Sequence, residues 1–413
     1  MEVLNMKDIN IAYIGVGKRG TFNLKLILNR EYKANIVAVC DAYEDRAIDA
    51  ANLVEEKGRK RPDCYTDYKE AITRDDVNTV IICSAWENHI EAAIYAMNQN
   101  KAVAIEVGGA YNLKECFDLV EAWENTKVPF MMLENCCFGK KELLAYNMAK
   151  AGIFGEVVHC HGAYGHDLRE EVVKGKERRH YRLKNYIERN CENYPTHELG
   201  PIAKILNINA GNKMNKLISV SSKSVGIKHY INERLEEIEN KDLIGVEFKQ
   251  GDIVNTIITC ENGETISLKL DTTLPRYYSR EFTVRGTKAM YEEVLNSIYT
   301  DGEQEFWETD EFVKNYTNNV EKYYDEHLPP FWKNITEEET KNGHGGMDAY
   351  EFDVFFHCLE NDIPSPIDVY DAASWMAITP LSEESIKTGK AVEVPDFTKG
   401  KWKERKVTPI NIL

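Results

Sequence analysis

Ile9-Asn10-Ile11-Ala12-Tyr13-Ile14-Gly15-Val16-Gly17-Lys18-Arg19-Gly20 reads as a buried strand that runs directly into a GxGxxG turn and then into a helix. The context carries more weight than the glycines. Gly15 permits a tight turn, Gly17 lets the backbone approach a pyrophosphate, and Gly20 allows helix and strand to pack closely. About twenty residues on, Asp41 closes the next apolar run, Asn35-Ile36-Val37-Ala38-Val39-Cys40. A carboxylate at that place accepts hydrogen bonds from the adenosine ribose and repels a 2′-phosphate, so the expected cofactor is NAD rather than NADP. Lys18 and Arg19 at the helix mouth, Arg46, and Glu106 at the end of a later strand complete the candidate cofactor-binding set. Arg46 has two readings, a softening of the NAD preference or an exposed helix arginine. The competing explanation of the whole motif is a Rossmann domain that has lost its ligand.

Outward from this turn, short apolar runs at 9–17, 35–41, 79–84, 102–107 and 129–133 alternate with amphipathic segments at 18–29, 42–57, 88–98 and 113–125. Strands spaced by helices predict βαβ units and a doubly wound parallel sheet, giving a Rossmann domain over residues 1–134. After Glu134 the rhythm changes. A helix over 140–150 leads into alternating strands at 156–166, 216–224, 243–248, 255–260, 265–270 and 282–285, with Glu261-Asn262-Gly263 as a hairpin turn. The fold class is therefore α/β, an N-terminal Rossmann domain followed by a C-terminal α+β domain over 135–413 with a mainly antiparallel open sheet. Helices at 347–359 and 370–387 are expected to pack back on the Rossmann domain, and 297–342 reads as a tyrosine-rich surface excursion. No internal repeat or low-complexity linker interrupts the chain.

The 413 residues suffice for two cores, and 43% hydrophobic with 29% charged residues describes an ordinary globular protein. No apolar run is long enough to span a bilayer and no signal pattern opens the sequence, so a cytoplasmic protein without a membrane partner is expected. Ten scattered cysteines without a CxxC fit core thiols better than a disulfide scaffold or a zinc knuckle. A formal net charge of −17 argues against a nucleic-acid partner. The basic stretch 174–182 reads as a solvated loop. The open sheet makes a homo-oligomer, a dimer or higher, the expected assembly.

Residues two apart on a strand share a face, so Tyr164 and His166 point one way while His159 and His161 point the other. A metal at the second pair lacks a carboxylate at suitable spacing, and no metal site is expected. His197 sits where an amphipathic helix begins, with Pro195 suited to its first turn and Tyr194 three residues away on the same face. Glu134 follows a buried strand, which places it at the carboxyl end of the parallel sheet; a helix-capping role suits it equally. Gly345 and Gly346 beside His344 suggest either close approach to a ligand or a helix entry turn.

A Rossmann domain, a Glu-containing segment after the strand at 102–107, and an α+β domain together resemble the glucose-fructose oxidoreductase/inositol dehydrogenase superfamily. Its ordinary members read Glu-Lys-Pro where this chain has Glu106-Val107-Gly108, so the lysine that helps deprotonate the substrate alcohol is absent. Four further segments are similar to signatures of glycoside hydrolase family 109, whose founding activity is α-N-acetylgalactosaminidase. They are 131–137 (MMLENCC), 162–169 (GAYGHDLR), 194–201 (YPTHELGP) and 343–348 (GHGGMD). Two departures accompany the likeness: the loop between Leu168 and Tyr194 is compact, and Gly108 stands where proline is usual.

The resemblance implies a small glycoside substrate, an N-acetylgalactosaminide or related hexoside, and a regenerated NAD. His197 would be the base for the C3 hydroxyl and Tyr164, assisted by His166 and beside Tyr194, the base at C2. Glu134, Tyr278 (with Tyr277 as rival) and His344 would contact substrate. A conventional NAD-dependent sugar or polyol dehydrogenase, with His197 as base, is the alternative. A non-catalytic sensor that keeps the Rossmann domain is a third reading.

Overall fold

β1 (Ile9–Ile14) is buried along almost its whole length because it runs through the middle of a sheet, parallel to β2 (Ala34–Cys40) on one side and β4 (Thr79–Ile82) on the other. β3 (Asp63–Tyr65), β5 (Ala102–Glu106) and β6 (Phe130–Leu133) extend it to six parallel strands in the order β3-β2-β1-β4-β5-β6. Helices α1 (Lys18–Leu28), α2 (Glu44–Glu56), α3 (Tyr68–Ile72), α4 (Trp86–Asn98) and α5 (Leu113–Thr126) make the crossovers. Strands β1 to β3 progress one way across the sheet and β4 to β6 the other. The reversal opens a crevice at the carboxyl ends of β1 and β4, where doubly wound folds bind ligands. The computed structural model from which this description is drawn describes residues 8–303, 307–341 and 343–413.

The second sheet has eight strands in the order β13-β12-β11-β7-β10-β9-β8-β14. After α6 (Lys140–Lys150), β7 (Val157–Gly165) enters its middle, parallel to β10 (Thr265–Asp271) and antiparallel to β11 (Thr283–Gly286). The remaining pairings, among β8 (Met214–Ser221), β9 (Ile253–Cys260), β12 (Ala289–Glu292), β13 (Ser297–Thr300) and β14 (Val392–Glu393), are antiparallel. Along β9, Val254, Thr256 and Ile258 are buried while Ile257 is 43% exposed, so one face of the sheet is covered and the other open. On β7 the open face carries His159 and His161, hydrogen-bonded to Thr265 (2.8 Å) and Ser267 (2.7 Å), and the covered face carries Tyr164.

Three expectations need correction. Leu243-Ile244-Gly245-Val246-Glu247-Phe248 alternates like a strand but forms a 3-10 turn, Lys241–Leu243, followed by irregular chain, because Gly245 at φ +81° breaks the extended path. The 297–342 stretch is not a surface excursion throughout. It holds β13, and it buries Val320, Leu328 and Trp332, whose Nε1 donates to the Phe138 carbonyl at 3.0 Å; its residues 304–306 and 342 lie outside those described. The basic stretch 174–182 is solvent-facing only in part, since Arg182 at its end is 6% exposed.

Of the last helices, Met347–Asn361 and Val369–Met376 lie against elements of the parallel sheet, whereas Ile378–Thr388 packs on β8 of the second sheet. The Ala110 amide donates to the Met376 carbonyl (3.2 Å), the Met132 amide to Ile367 (3.1 Å), and the Tyr32 ring stacks on Phe356 at 4.2 Å. Among the described residues no helix is long and apolar enough to cross a membrane, and all ten cysteines are free.

Candidate active site

The glycine turn has the shape its sequence demands. Gly15 has φ +87°, and a Cβ there would lie 2.4 Å from the Ser84 amide nitrogen; a Cβ on Gly20 would lie 2.0 Å from the Gly15 carbonyl oxygen. Both positions exclude any side chain, whereas Gly17 has only Arg46 Nη1 nearby, 3.5 Å from a hypothetical Cβ. No side chain caps the start of α1, so its first amides are left for an anion. Asp41, 8% exposed, accepts from the Val16 amide (2.9 Å) and the Tyr43 amide (3.0 Å), which fixes its carboxylate beside the turn. A pyrophosphate at α1 and a ribose at Asp41 fit this cradle. Gly15→Ala is expected to lower the melting temperature and weaken NAD binding by at least about tenfold, since the positive φ alone costs roughly 1–2 kcal/mol. Calorimetric titration with NAD checks it.

Arg19 and Glu106 do not stand free for a ligand. Arg19 Nε donates to Glu106 Oε1 (2.7 Å), and its two terminal nitrogens fork onto Asp348 at 2.9 Å each, across to the Met347–Asn361 helix. Glu106 also accepts from Asn23 (2.7 Å). The neighbouring charge of Arg19 holds Asp348 below the ordinary carboxylate range against the upward push of its burial. His344 joins this network through Nδ1 to Asp348 (2.8 Å) and lies 3.2 Å from Asn135 Nδ2, so the structure ties it to the lock between the two sheets' elements and gives it no contact with the tyrosine cluster.

That cluster forms where β7 meets α7 (Thr196–Ile205). The rings of Tyr164 and Tyr194 lie 4.5 Å apart, Tyr194 and His197 4.7 Å, and Tyr164 and His197 5.5 Å. The Tyr164 hydroxyl is 3.3 Å from His166 Nδ1, and the Tyr278 ring meets His166 edge-on at 5.2 Å. Tyr277, the rival, is 67% exposed and has no such contact. Behind His197, Glu134 Oε1 accepts the Nδ1 proton at 2.7 Å and the Cys136 amide at 3.0 Å. Glu134 is fully buried. It thus orients His197 and caps a turn. Burial pushes its pKa up, but the charge and hydrogen bond of His197 hold it below the usual range. With Nδ1 committed to a carboxylate, Nε2 is the His197 nitrogen left to take a proton.

Two residues that the sequence reading missed complete the pocket. Trp86 opens α4, its ring 5.5 Å from Tyr194 and 4.6 Å from Tyr181. A Cβ on residue 108 would come within 2.5 Å of this indole, which explains why glycine replaces the usual proline. Arg182 lies 5.0 Å over Trp86 and 4.8 Å over Tyr194, paired to Glu171 at 3.0 Å, with no hydrogen-bond partner for Nη1 among the described residues. Trp86 was findable from its place after β4. Arg182 carried no signal, being one basic residue in a basic run.

The compact loop that holds Arg182 crosses the carboxyl ends of the parallel strands. Arg179 forks onto Asp45 (2.8 and 2.7 Å), Arg46 donates to the Arg178 carbonyl (2.8 Å), Lys184 pairs with Glu87 (2.9 Å), and Arg189 donates to the Ala110 carbonyl (3.3 Å). Arg46 is therefore engaged by this loop while sitting 4.0 Å from Asp41.

These features agree with comparisons to known proteins. Residues 138–404 match the family profile described as glycosyl hydrolase 109, C-terminal domain, and residues 9–134 match that of the oxidoreductase family, NAD-binding Rossmann fold. The chain belongs to glycosyl hydrolase family 109. A family 109 protein of Stenotrophomonas maltophilia is 36% identical over 97% of this chain and 91% of its own length. An α-N-acetylgalactosaminidase of Bacteroides fragilis is 37% identical over 96% and 93%. A levoglucosan dehydrogenase solved in complex with NADH shares the fold, with a TM-score of 0.69 at 16% identity over 94% of this chain and all of that one. The cofactor of this family 109 protein is NAD.

Just behind the pocket, Glu192 and Glu198 are buried against one another. Burial pushes Glu192 up to about 8, and burial together with the nearby Glu192 charge pushes Glu198 up as well. A carboxyl whose folded pKa is raised favours the folded state below its unfolded pKa, and that contribution is lost as pH rises through the folded value. The melting temperature is therefore expected to fall as pH rises from about 5 to about 8, and Glu192→Gln with Glu198→Gln to flatten that fall. Thermal melts across the range check it.

Proposed function

We propose that the protein is an NAD-dependent glycosidase, acting on N-acetylgalactosaminides or related hexosides through a transient ketone at C3 of the sugar. The observation that carries this reading is the His197–Glu134 pair at 2.7 Å beside Tyr164, in an NAD-binding chain that lacks the superfamily's lysine at residue 107. Relatives named α-N-acetylgalactosaminidase support the substrate class. When bound, NAD supplies the acceptor for the C3 hydride and its source when the cycle closes, with no net consumption.

His197, oriented by Glu134, takes the C3 hydroxyl proton on Nε2. The ketone that results acidifies the hydrogen on C2. Burial pushes the Tyr164 pKa well above its ordinary value, although the Arg182 charge opposes this, so the phenol is protonated before it acts. Tyr164 therefore takes the C2 proton as it passes its own to His166 Nδ1, 3.3 Å away, a nitrogen that burial and the Arg182 charge keep neutral. The bond from C1 to the leaving group then breaks, water adds to C1 of the unsaturated ketone, and the relay returns a proton to C2. No oxocarbenium ion forms, so the paired carboxylates of ordinary glycosidases are unnecessary. A homo-oligomer joined through the open sheet face belongs to the same reading.

The test is a panel of nitrophenyl α- and β-glycosides, including the N-acetyl-α-galactosaminide. Nitrophenol release with no net change in the NADH absorbance band is expected. Steady NADH formation from free sugars with no glycoside cleaved would support a dehydrogenase and overturn the proposal.

A further inference from the structure

We propose that Arg280 and Glu142 are positioning residues that make the Tyr278 hydroxyl an obligatory hydrogen-bond donor to an uncharged oxygen of the sugar, an inference that rests on reading this cleft as a glycoside site. The backbone of Ser279 exchanges hydrogen bonds with Gly165 (3.0 and 3.1 Å), which pins Tyr278 next to His166 at the end of β7. Tyr278 is 45% exposed, whereas Arg280 is 8% and Glu142 2% exposed. Arg280 Nη1 donates to the Tyr278 hydroxyl oxygen at 3.1 Å. Its Nε donates to Glu142 Oε1 at 2.7 Å, and Nη2 binds the same oxygen.

A guanidinium has donors and no acceptor. The phenol oxygen must therefore accept from Arg280, and its own proton must point elsewhere. Glu142 neutralises the Arg280 charge, so the arrangement offers no net positive charge to a carboxylate or phosphate. What it offers is one oriented O–H, suited to a carbonyl or hydroxyl oxygen. Burying a charge pair carries a desolvation cost that geometry must recover, and here the geometry is directed at a single half-exposed hydroxyl.

Kinetics with p-nitrophenyl N-acetyl-α-galactosaminide test the inference on Tyr278→Phe, on the charge-free pair Glu142→Gln with Arg280→Met, and on the triple variant. Tyr278→Phe is expected to raise KM about tenfold with a much smaller effect on kcat, the signature of lost uniform binding. The paired variant should reproduce most of that rise, at least about fivefold, and the triple should be no worse than Tyr278→Phe. A wild-type KM in the paired variant, or KM rises that multiply in the triple, overturns the inference. Should the paired variant not fold, Arg280→Lys keeps a charge against Glu142 while removing the fork. It is expected to raise KM about threefold, and an unchanged KM overturns the inference. Cleavage by the wild-type protein tests the glycosidase reading, and the variant-to-wild-type ratios test the positioning, so the two failures are distinct.

Discussion

His197→Ala is expected to lower kcat for glycoside cleavage by at least about a thousandfold while NAD stays bound. In the proposed cycle His197 Nε2 is the base that removes the C3 hydroxyl proton, and the size follows from losing it. With residue 107 a valine, no lysine stands in, and the other imidazole of the cluster, His166, faces the Tyr164 hydroxyl. Alanine would also strip a partner from Glu134, a fully buried carboxylate whose Oε2 has none among the described residues, so some stability would be lost too. His197→Gln separates the two effects, since its amide still donates to Glu134 but cannot take a proton. Near-wild-type turnover in His197→Gln would remove the histidine from the chemistry and leave it a packing residue.

Tyr164→Phe is expected to reduce turnover by about a hundredfold or more, and by a different route. Proton removal at C3 is intact in this variant, so the sugar is still oxidised. The cycle then stops at the ketone, because phenylalanine can neither take the C2 proton nor pass one to His166. Enzyme mixed with substrate should show NADH absorbance rising to about one equivalent per site without matching nitrophenol. Equal loss of both signals would place Tyr164 outside the C2 step. The pair of variants thus divides the reaction at the ketone, His197 before it and Tyr164 after it.

Much of this was legible in the chain. The glycine turn, the acid at Asp41 and the alternation of strands and helices all depend on local patterns, and each stands where its residues put it. So does the Tyr194–His197 pair, because three residues apart on a helix start is a fixed geometry. What could not be read depends on contacts made at long range. The place of Glu134 after β6 did not show that its carboxylate pairs with a side chain 63 positions away. Arg182 resembled its solvated neighbours, and only the arrival of Trp86 and Tyr194 against it makes it a buried group. Residues 243–248 show the reverse error, a strand-like alternation overruled by one left-handed glycine.

The sugar released when a glycoside is cleaved in heavy water tests the central claim most directly. If a transient C3 ketone labilises C2, the product carries deuterium at C2 and none at C3, because the C2 proton exchanges with solvent while the C3 hydride returns from the bound cofactor. Product formed at full rate with no deuterium at C2 would mean that the glycosidic bond breaks without the ketone.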